Sequence, residues 1–236
     1  MKLSKRLETI VEQASRASAG APAADVGTDH GFVPIRLIEE GAASRVIAMD
    51  VRKGPLERAR EHVALYGMEN QIETRLSDGL TKLQPGEAET VIIAGMGGEL
   101  MLRILRDGAH VRDTIRHWIL SPQSELSQFR HGLEDLGLTI VNEIMVEEEG
   151  KYYTIITAEP GYMHYEKESE YRYGSLLIQQ ESPILAEFLK KELAQYQGIL
   201  EHLKNQTGEG ARIRMEEIKE EIRQVEEAID GMQTVD

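Results

Sequence analysis

Asp25, Asp29 and His30 fall within six positions of one another, in the run Ala24-Asp25-Val26-Gly27-Thr28-Asp29-His30-Gly31-Phe32-Val33-Pro34. Two carboxylates can attract a cation, accept from hydroxyls or receive a proton, and a histidine can move a proton near neutral pH. The run opens on small apolar residues, turns on Gly27 and Gly31, and leads into the helical pattern Ile35, Leu37, Ile38. A strand, a glycine turn and a helix start leave a gap at the carboxyl end of the strand, where open α/β sheets bind nucleotide-like ligands. Three later strand ends carry similar residues: Asp50, then Asp78-Gly79, then Ala94-Gly95-Met96-Gly97-Gly98. An acid after the second strand suits a ribose diol, and Asp78 suits the exocyclic amine of an adenine. The glycines let backbone approach a ligand closely. Any one of these acids could equally cap a helix; four strand ends bearing Gly or Asp point to a ligand.

The turn also discriminates between ligands. A dinucleotide fold calls for Gly-x-Gly-x-x-Gly and a bare helix N-terminus for pyrophosphate. Here Asp29 stands where the second glycine belongs. A carboxylate repels pyrophosphate and attracts a sulfonium or an ammonium, which favours S-adenosylmethionine over a nicotinamide dinucleotide.

Elements that position these residues follow from periodicity. Leu3, Leu7, Ile10, Val11 and Ala14 predict an amphipathic helix over 3–17. Strands are expected at 23–26, 45–49, 72–76, 90–94 and 118–120, with helices at 30–40, 54–66, from Gly98 to about 107, and from a Ser124 cap to about Gly137. Leu138–Val146 and Tyr152–Ala158 flank Glu147-Glu148-Glu149-Gly150-Lys151 as a β-hairpin. Five strand–helix units closed by a hairpin make an α/β doubly wound sheet with an antiparallel strand at one side. Residues 161–181 read as a polar, tyrosine-rich connector. Beyond it, the seams Leu185, Leu189, Leu193, Leu200 and Met215, Ile218, Ile222, Val225 predict two helices, broken at Asn205–Gly210, in an antiparallel hairpin of coiled-coil type. Residues 1–160 are thus expected as one domain and 161–236 as an appendage.

The bulk numbers narrow the classes. The 236 residues contain no cysteine, which excludes disulfides and thiolate chemistry and fits a reducing cytoplasm. No apolar run approaches a membrane span, and no metal site is expected. The net charge is −14, with 18 Lys/Arg against 25 Asp/Glu in residues 1–160 and 9 against 16 in the remainder. A polyanion partner therefore needs a local basic patch. Lys5 and Arg6, with Arg103, Arg106, Arg112 and Arg116, are the candidates for such a rim.

Lys2-Leu3-Ser4-Lys5-Arg6-Leu7, Asp25-Val26-Gly27-Thr28-Asp29-His30-Gly31, Ser77-Asp78-Gly79-Leu80 and Ile93-Ala94-Gly95-Met96-Gly97-Gly98 together resemble the bacterial tRNA (adenine(22)-N1)-methyltransferases, the TrmK family. The hairpin and the helical tail are also similar, so the resemblance spans nearly the whole chain. The chain departs from the family's frequent Gln-Pro-Asn after strand five, carrying Ser121-Pro122-Gln123. The resemblance implies a Rossmann-like S-adenosyl-L-methionine-dependent methyltransferase with a coiled-coil arm, acting on tRNA in the cytoplasm. It implies cofactor contacts from Asp25, Gly27, Thr28, Asp29, Asp50, Asp78, Gly79, Ala94, Gly95 and Met96. The reaction is displacement of the sulfonium methyl group by adenine N1, which requires the base to be unpaired first. Asp29 is the candidate for stabilising charge that spreads to N6, His30 for orienting it or contacting the base, and Gln123 for the adenine edge. Two other readings stay open: a methyltransferase acting on an exocyclic amine, and a non-catalytic nucleotide-sensing module. The first commonly carries Asn/Asp-Pro-Pro-aromatic after strand four, where this chain has Gly-Met-Gly-Gly. A dehydrogenase is a more distant third.

Overall fold

The computed structural model describes residues 2–205 and 208–233. The chain divides into two compact units between His164 and Tyr165.

The first unit begins with α1 (Lys5–Ser18), capped by Ser4, whose Oγ accepts from the Leu7 N–H. Then follow β1 (Ala23–Val26), α2 (Phe32–Glu39), β2 (Val46–Asp50), α3 (Lys53–Leu65), β3 (Ile72–Leu76) and β4 (Thr90–Met96). After these come α4 (Gly98–Asp107), α5 (Ala109–Arg112), β5 (His117–Pro122), α6 (Leu126–Asp135), β6 (Leu138–Glu148) and β7 (Lys151–Pro160). The strands form one sheet in the order β3-β2-β1-β4-β5-β7-β6. The first five are parallel, and β7 is antiparallel to both β5 and β6. Every residue of β1 and β2 is buried, as expected of strands covered on both faces, whereas β3 at the sheet edge is half exposed. The strand order reverses at β1, which lies between β2 and β4. All five parallel strands deliver their carboxyl ends to that edge.

One ion pair fastens a helix to the sheet. Arg130 Nε of α6 donates to Glu143 Oε1 of β6 at 2.8 Å, Arg130 Nη2 lies 2.8 Å from the same oxygen, and both side chains are fully buried. The alternation of β6 turns Glu143 inward beneath α6.

Four expectations change. β4 continues through Gly95 to Met96 across a bulge, made possible by the positive φ of Gly95, +79°. α2 starts at Phe32 rather than His30, because His30 and Gly31 both adopt left-handed backbone, with φ of 61° and 69°. Ser124 does not cap α6. The capping position is Glu125, in left-handed conformation, and Ser124 Oγ donates to the Glu125 carboxylate. Residues 161–181 are not a plain connector, since they hold α7 (Glu168–Tyr173) and α8 (Ser175–Gln179).

The second unit adds α9 (Pro183–Lys204) and α10 (Glu209–Gln233) to these short helices. Leu185, Leu189 and Leu203 of α9, and Ile218, Val225, Ala228 and Met232 of α10, are buried. Gln206 and Thr207, within the expected break, lie outside the described residues. A polar knot joins the helices: Arg172 bonds Glu221, its Nη2 donates to Tyr196 Oη at 2.8 Å, and Tyr173 Oη donates to Glu192 at 2.6 Å. Among the described residues no helix is long and apolar enough to cross a membrane.

Candidate active site

The cleft is built by the β1–α2 turn. β1 pairs with β2 up to Val26–Met49, and the N–H groups of Gly27 and Thr28 both donate to Met49 O, at 2.7 and 2.9 Å. The chain then leaves the sheet through Gly27, φ +81°. A Cβ at Gly27 would overlap the terminal methyl of Met96, so the thioether at the end of β4 lies directly over this glycine. The cleft beside that contact comprises two adjoining chambers.

The larger chamber, about 420 Å³, takes its floor from Ala94 and Gly95 and its charge from Asp25, Asp29, Asp50 and Arg6. The smaller, about 250 Å³, is walled by Val51, Asp78, Gly79, Leu100, Arg103 and Ile104. Gly27, Asp50, Arg52 and Met96 border both. Every expected cofactor residue therefore reaches one chamber or the other, although Asp78 and Gly79 face a different chamber from Asp25 and Asp29. Gly79 has a structural constraint too, as a Cβ there would meet Ile104 Cγ2 at 2.9 Å.

Each carboxylate in the larger chamber has its own environment. Asp25 is buried, which pushes its carboxyl up to about 6; the Thr28 hydroxyl opposes the rise and the charge of Asp50 adds to it. Asp50 is buried and accepts the Arg52 N–H on Oδ1 at 2.7 Å, leaving Oδ2 for a ligand. Asp29 is 60% exposed and holds Arg58 Nη2 at 2.8 Å and His30 Nε2 at 3.6 Å.

Arg58 is a residue that sequence reasoning missed. Its position follows from close packing of α3 on the turn: a Cβ at Gly31 would stand 3.4 Å from Ala59 Cα. Arg58 and His62, one helical turn apart, consequently share the face toward the turn. His62 Nδ1 donates to His30 O at 2.8 Å. The rings of His30, Phe32 and His62 lie nearly parallel, with centroids 5.2 to 5.5 Å apart. His30 and Phe32 thus present flat rings to the larger chamber. The signal available beforehand was the fold itself, since the helix after β2 must flank the turn after β1.

Gln123 also reaches this chamber, with its backbone N–H donating to Met96 O at 2.9 Å. The basic rim is not assembled as expected. Arg6 lies inside the chamber instead of on its edge, and Lys5 Nζ donates to Glu147 O at 3.4 Å. Arg103 borders the smaller chamber, and Arg106 sits further along α4. Arg112 and Arg116 precede β5, at the amino ends of the parallel strands. Arg116 pairs there with Glu89 at 3.2 Å, on the edge opposite the cleft.

These residues fit S-adenosyl-L-methionine. The chemistry of a carboxylate such as Asp50 suits a ribose, that of the small apolar chamber beside Asp78 a purine, and that of the acidic chamber a sulfonium and an ammonium. A pyrophosphate would face three carboxylates. Among the described residues, no group of three or more His, Asp and Glu is arranged to hold a metal.

The chain is similar to known proteins along nearly its whole length. The family model described as tRNA (adenine(22)-N(1))-methyltransferase matches residues 23–227. The tRNA (adenine(22)-N(1))-methyltransferase of Bacillus subtilis strain 168 is 30% identical over 236 residues, covering 98% of each chain. A Streptococcus pneumoniae protein solved in complex with S-adenosyl-L-methionine is 32% identical, over 96% of this chain and 99% of that one, with a TM-score of 0.85. Mycoplasma capricolum TrmK, solved with S-adenosyl-homocysteine, is 25% identical over 98% and 100%, with a TM-score of 0.83. The glycine turn, the acid at the end of β2 and the glycine run after β4 thus belong to a chain that is a member of the tRNA (adenine(22)-N(1))-methyltransferase family.

Proposed function

We propose that this chain methylates N1 of an adenine in tRNA, adenine 22 by family, using S-adenosyl-L-methionine, and that it does so in the cytoplasm. The observation that carries the reading is the acidic chamber over a glycine floor at the strand-order reversal, in a chain of this family.

The cofactor supplies a methyl group already activated on a sulfonium. The residues of the chain therefore have to bind, align and stabilise charge. Asp50 holds the ribose, and Asp78 and Gly79 border the purine. Gly27, Thr28 and Asp25 line the methionine part, with Ala94, Gly95 and Met96 beneath. The target adenine leaves its stack to enter the larger chamber, where the parallel rings of His30 and Phe32 offer a stacking wall. When the N1–methyl bond forms, positive charge spreads to N6, and the Asp29 carboxylate stabilises it. Gln123 hydrogen-bonds the adenine edge.

Backbone phosphate contacts fall to the first unit, from Lys5, Arg52, Arg103 and Arg106. The second unit carries 9 Lys/Arg against 16 Asp/Glu, and its α9–α10 hairpin is a coiled-coil packing element.

Purified protein incubated with unmodified bacterial tRNA and methyl-labelled cofactor is expected to yield labelled 1-methyladenosine on nucleoside analysis. Label on N6 would instead identify an exocyclic-amine enzyme. Cofactor binding without label in any RNA would identify a sensing module.

A further inference from the structure

Arg6 stands apart from the other charged groups of the cleft. Its guanidinium lies 5.0 Å from the centre of the Tyr153 ring, and its Nη1 is buried with no hydrogen-bond partner. A buried charged donor left unpaired is costly, and such groups normally find an acceptor. The backbone around it is fixed, for the Arg6 N–H donates to Glu148 Oε1 at 3.3 Å and the Ser4 cap holds the first turn of α1. The cleft carboxylates do not claim it. Asp29 is taken by Arg58 and Asp50 by the Arg52 N–H, and no carboxylate among the described residues accepts from Arg6 Nη1.

The position of the free donor is informative. A Cβ at Gly95 would stand 3.9 Å from Arg6 Nη1 and 3.9 Å from Gln123 Nε2. Two side-chain N–H donors, one from α1 and one after β5, therefore converge above a glycine floor. The Tyr153 ring lies beneath the guanidinium, and a planar guanidinium has the fork that grips two oxygens at once. Three acids nearby favour a sulfonium and an ammonium but repel any anionic part of the same reactants. A site of this composition needs a cation for that part.

We propose that Arg6, assisted by Gln123, is the anion seat of the cleft and holds a pair of anionic oxygens on a bound reactant. This rests on the methyltransferase reading. The oxygens are either the α-carboxylate of the cofactor's methionine part or the phosphate of the target adenosine, and both present the same fork-matching pair.

The test uses the full-length protein and two variants, Arg6→Gln and Arg6→Lys, with thermal midpoints confirming that each folds. Calorimetry is run with S-adenosylhomocysteine and with its decarboxylated analogue. If the carboxylate is held, Arg6→Gln weakens S-adenosylhomocysteine about tenfold or more, leaves the analogue unchanged, and Arg6→Lys recovers part of the loss. If the phosphate is held, S-adenosylhomocysteine binding is unchanged. KM for tRNA then rises about tenfold, and the slope of log KM against log salt falls by about one. Wild-type affinity for both adenosyl ligands and for tRNA in Arg6→Gln overturns the proposal. Should both variants fail to fold, the unmodified protein decides: equal affinity for the two adenosyl ligands, with a tRNA KM independent of salt, overturns it as well. Failure of the unmodified protein to bind S-adenosylhomocysteine defeats the methyltransferase reading itself, a separate outcome.

Discussion

Arg58 Nη2 lies 2.8 Å from Asp29 Oδ1, a link from the middle of α3 to the turn that closes the cleft. It sets the direction of the carboxylate and draws on part of its charge. Because both groups are well exposed, their pairing adds little stability. Its value is positional. Arg58→Ala is expected to lower kcat about tenfold and leave the S-adenosylhomocysteine affinity within about threefold of wild type. Asp29→Ala should lose methyl transfer and largely retain cofactor binding. If Arg58 works through Asp29, the double variant falls no further than Asp29→Ala alone. Independent, multiplying losses in single-turnover assays would count against the coupling.

Asp25 is expected to make cofactor binding depend on pH. Its carboxyl is pushed up to about 6 by burial. A positively charged ligand binds the ionised form better, so S-adenosyl-L-methionine affinity should fall as pH drops through 6. S-adenosylhomocysteine lacks the sulfonium charge and should show a shallower fall. Calorimetry at pH 5.5 and 7.5 with both ligands checks this, and identical profiles would remove Asp25 from the explanation.

The same shift has a consequence for folding. The folded value lies above the ordinary 3.8, so the native state binds more protons than the unfolded chain between about pH 4 and 6. The contribution of Asp25 to stability is therefore greatest below pH 3.8 and declines as pH rises through 6, by about 3 kcal/mol in all. Asp25→Asn is expected to raise the melting temperature of the ligand-free protein at pH 8 and to weaken cofactor binding. A lower melting temperature at that pH would contradict the assignment.

Gly27 admits no side chain. Its φ of +81° disfavours any L residue, and a Cβ there would overlap Met96. Gly27→Ala should reduce S-adenosylhomocysteine affinity at least tenfold. Adding Met96→Ala relieves the overlap but not the backbone strain, so the double variant should recover only part of the affinity. Full recovery would assign the whole effect to the thioether.

The Arg130–Glu143 pair governs stability away from the cleft. Arg130→Met strands a buried carboxylate and should cost about 3–5 kcal/mol, whereas replacing both partners by apolar residues should restore most of it. Urea denaturation of the two variants makes the comparison.

The strand ends were legible in the sequence because β1, β2 and β4 read as short apolar runs stopped by Gly or Asp, and the doubly wound arrangement gathers such stops at one edge. Arg58 was not legible. It reaches Asp29 through the close approach of Gly31 to Ala59, a contact between residues 28 positions apart that no local pattern announces. Arg112 and Arg116 misled for the converse reason. They follow the glycine run closely in sequence, yet the ten residues of α4 carry the chain about 15 Å back toward the other edge. In the tail, Tyr171 and Tyr173 are buried within the second unit although their surroundings in sequence are polar. Their burial depends on helices that come later in the chain.

The Met96 methyl over Gly27 has a bearing on inhibitor design. With two adjoining chambers there, a purine-like fragment and an amino-acid-like fragment can be found separately, each sized to one compartment. A linker joining them must cross the shared border of Gly27, Asp50, Arg52 and Met96, as the cofactor would, and crowding of a bulky linker by the thioether lowers the gain below the combined fragment affinities. Shortening Met96 to alanine would return that lost increment.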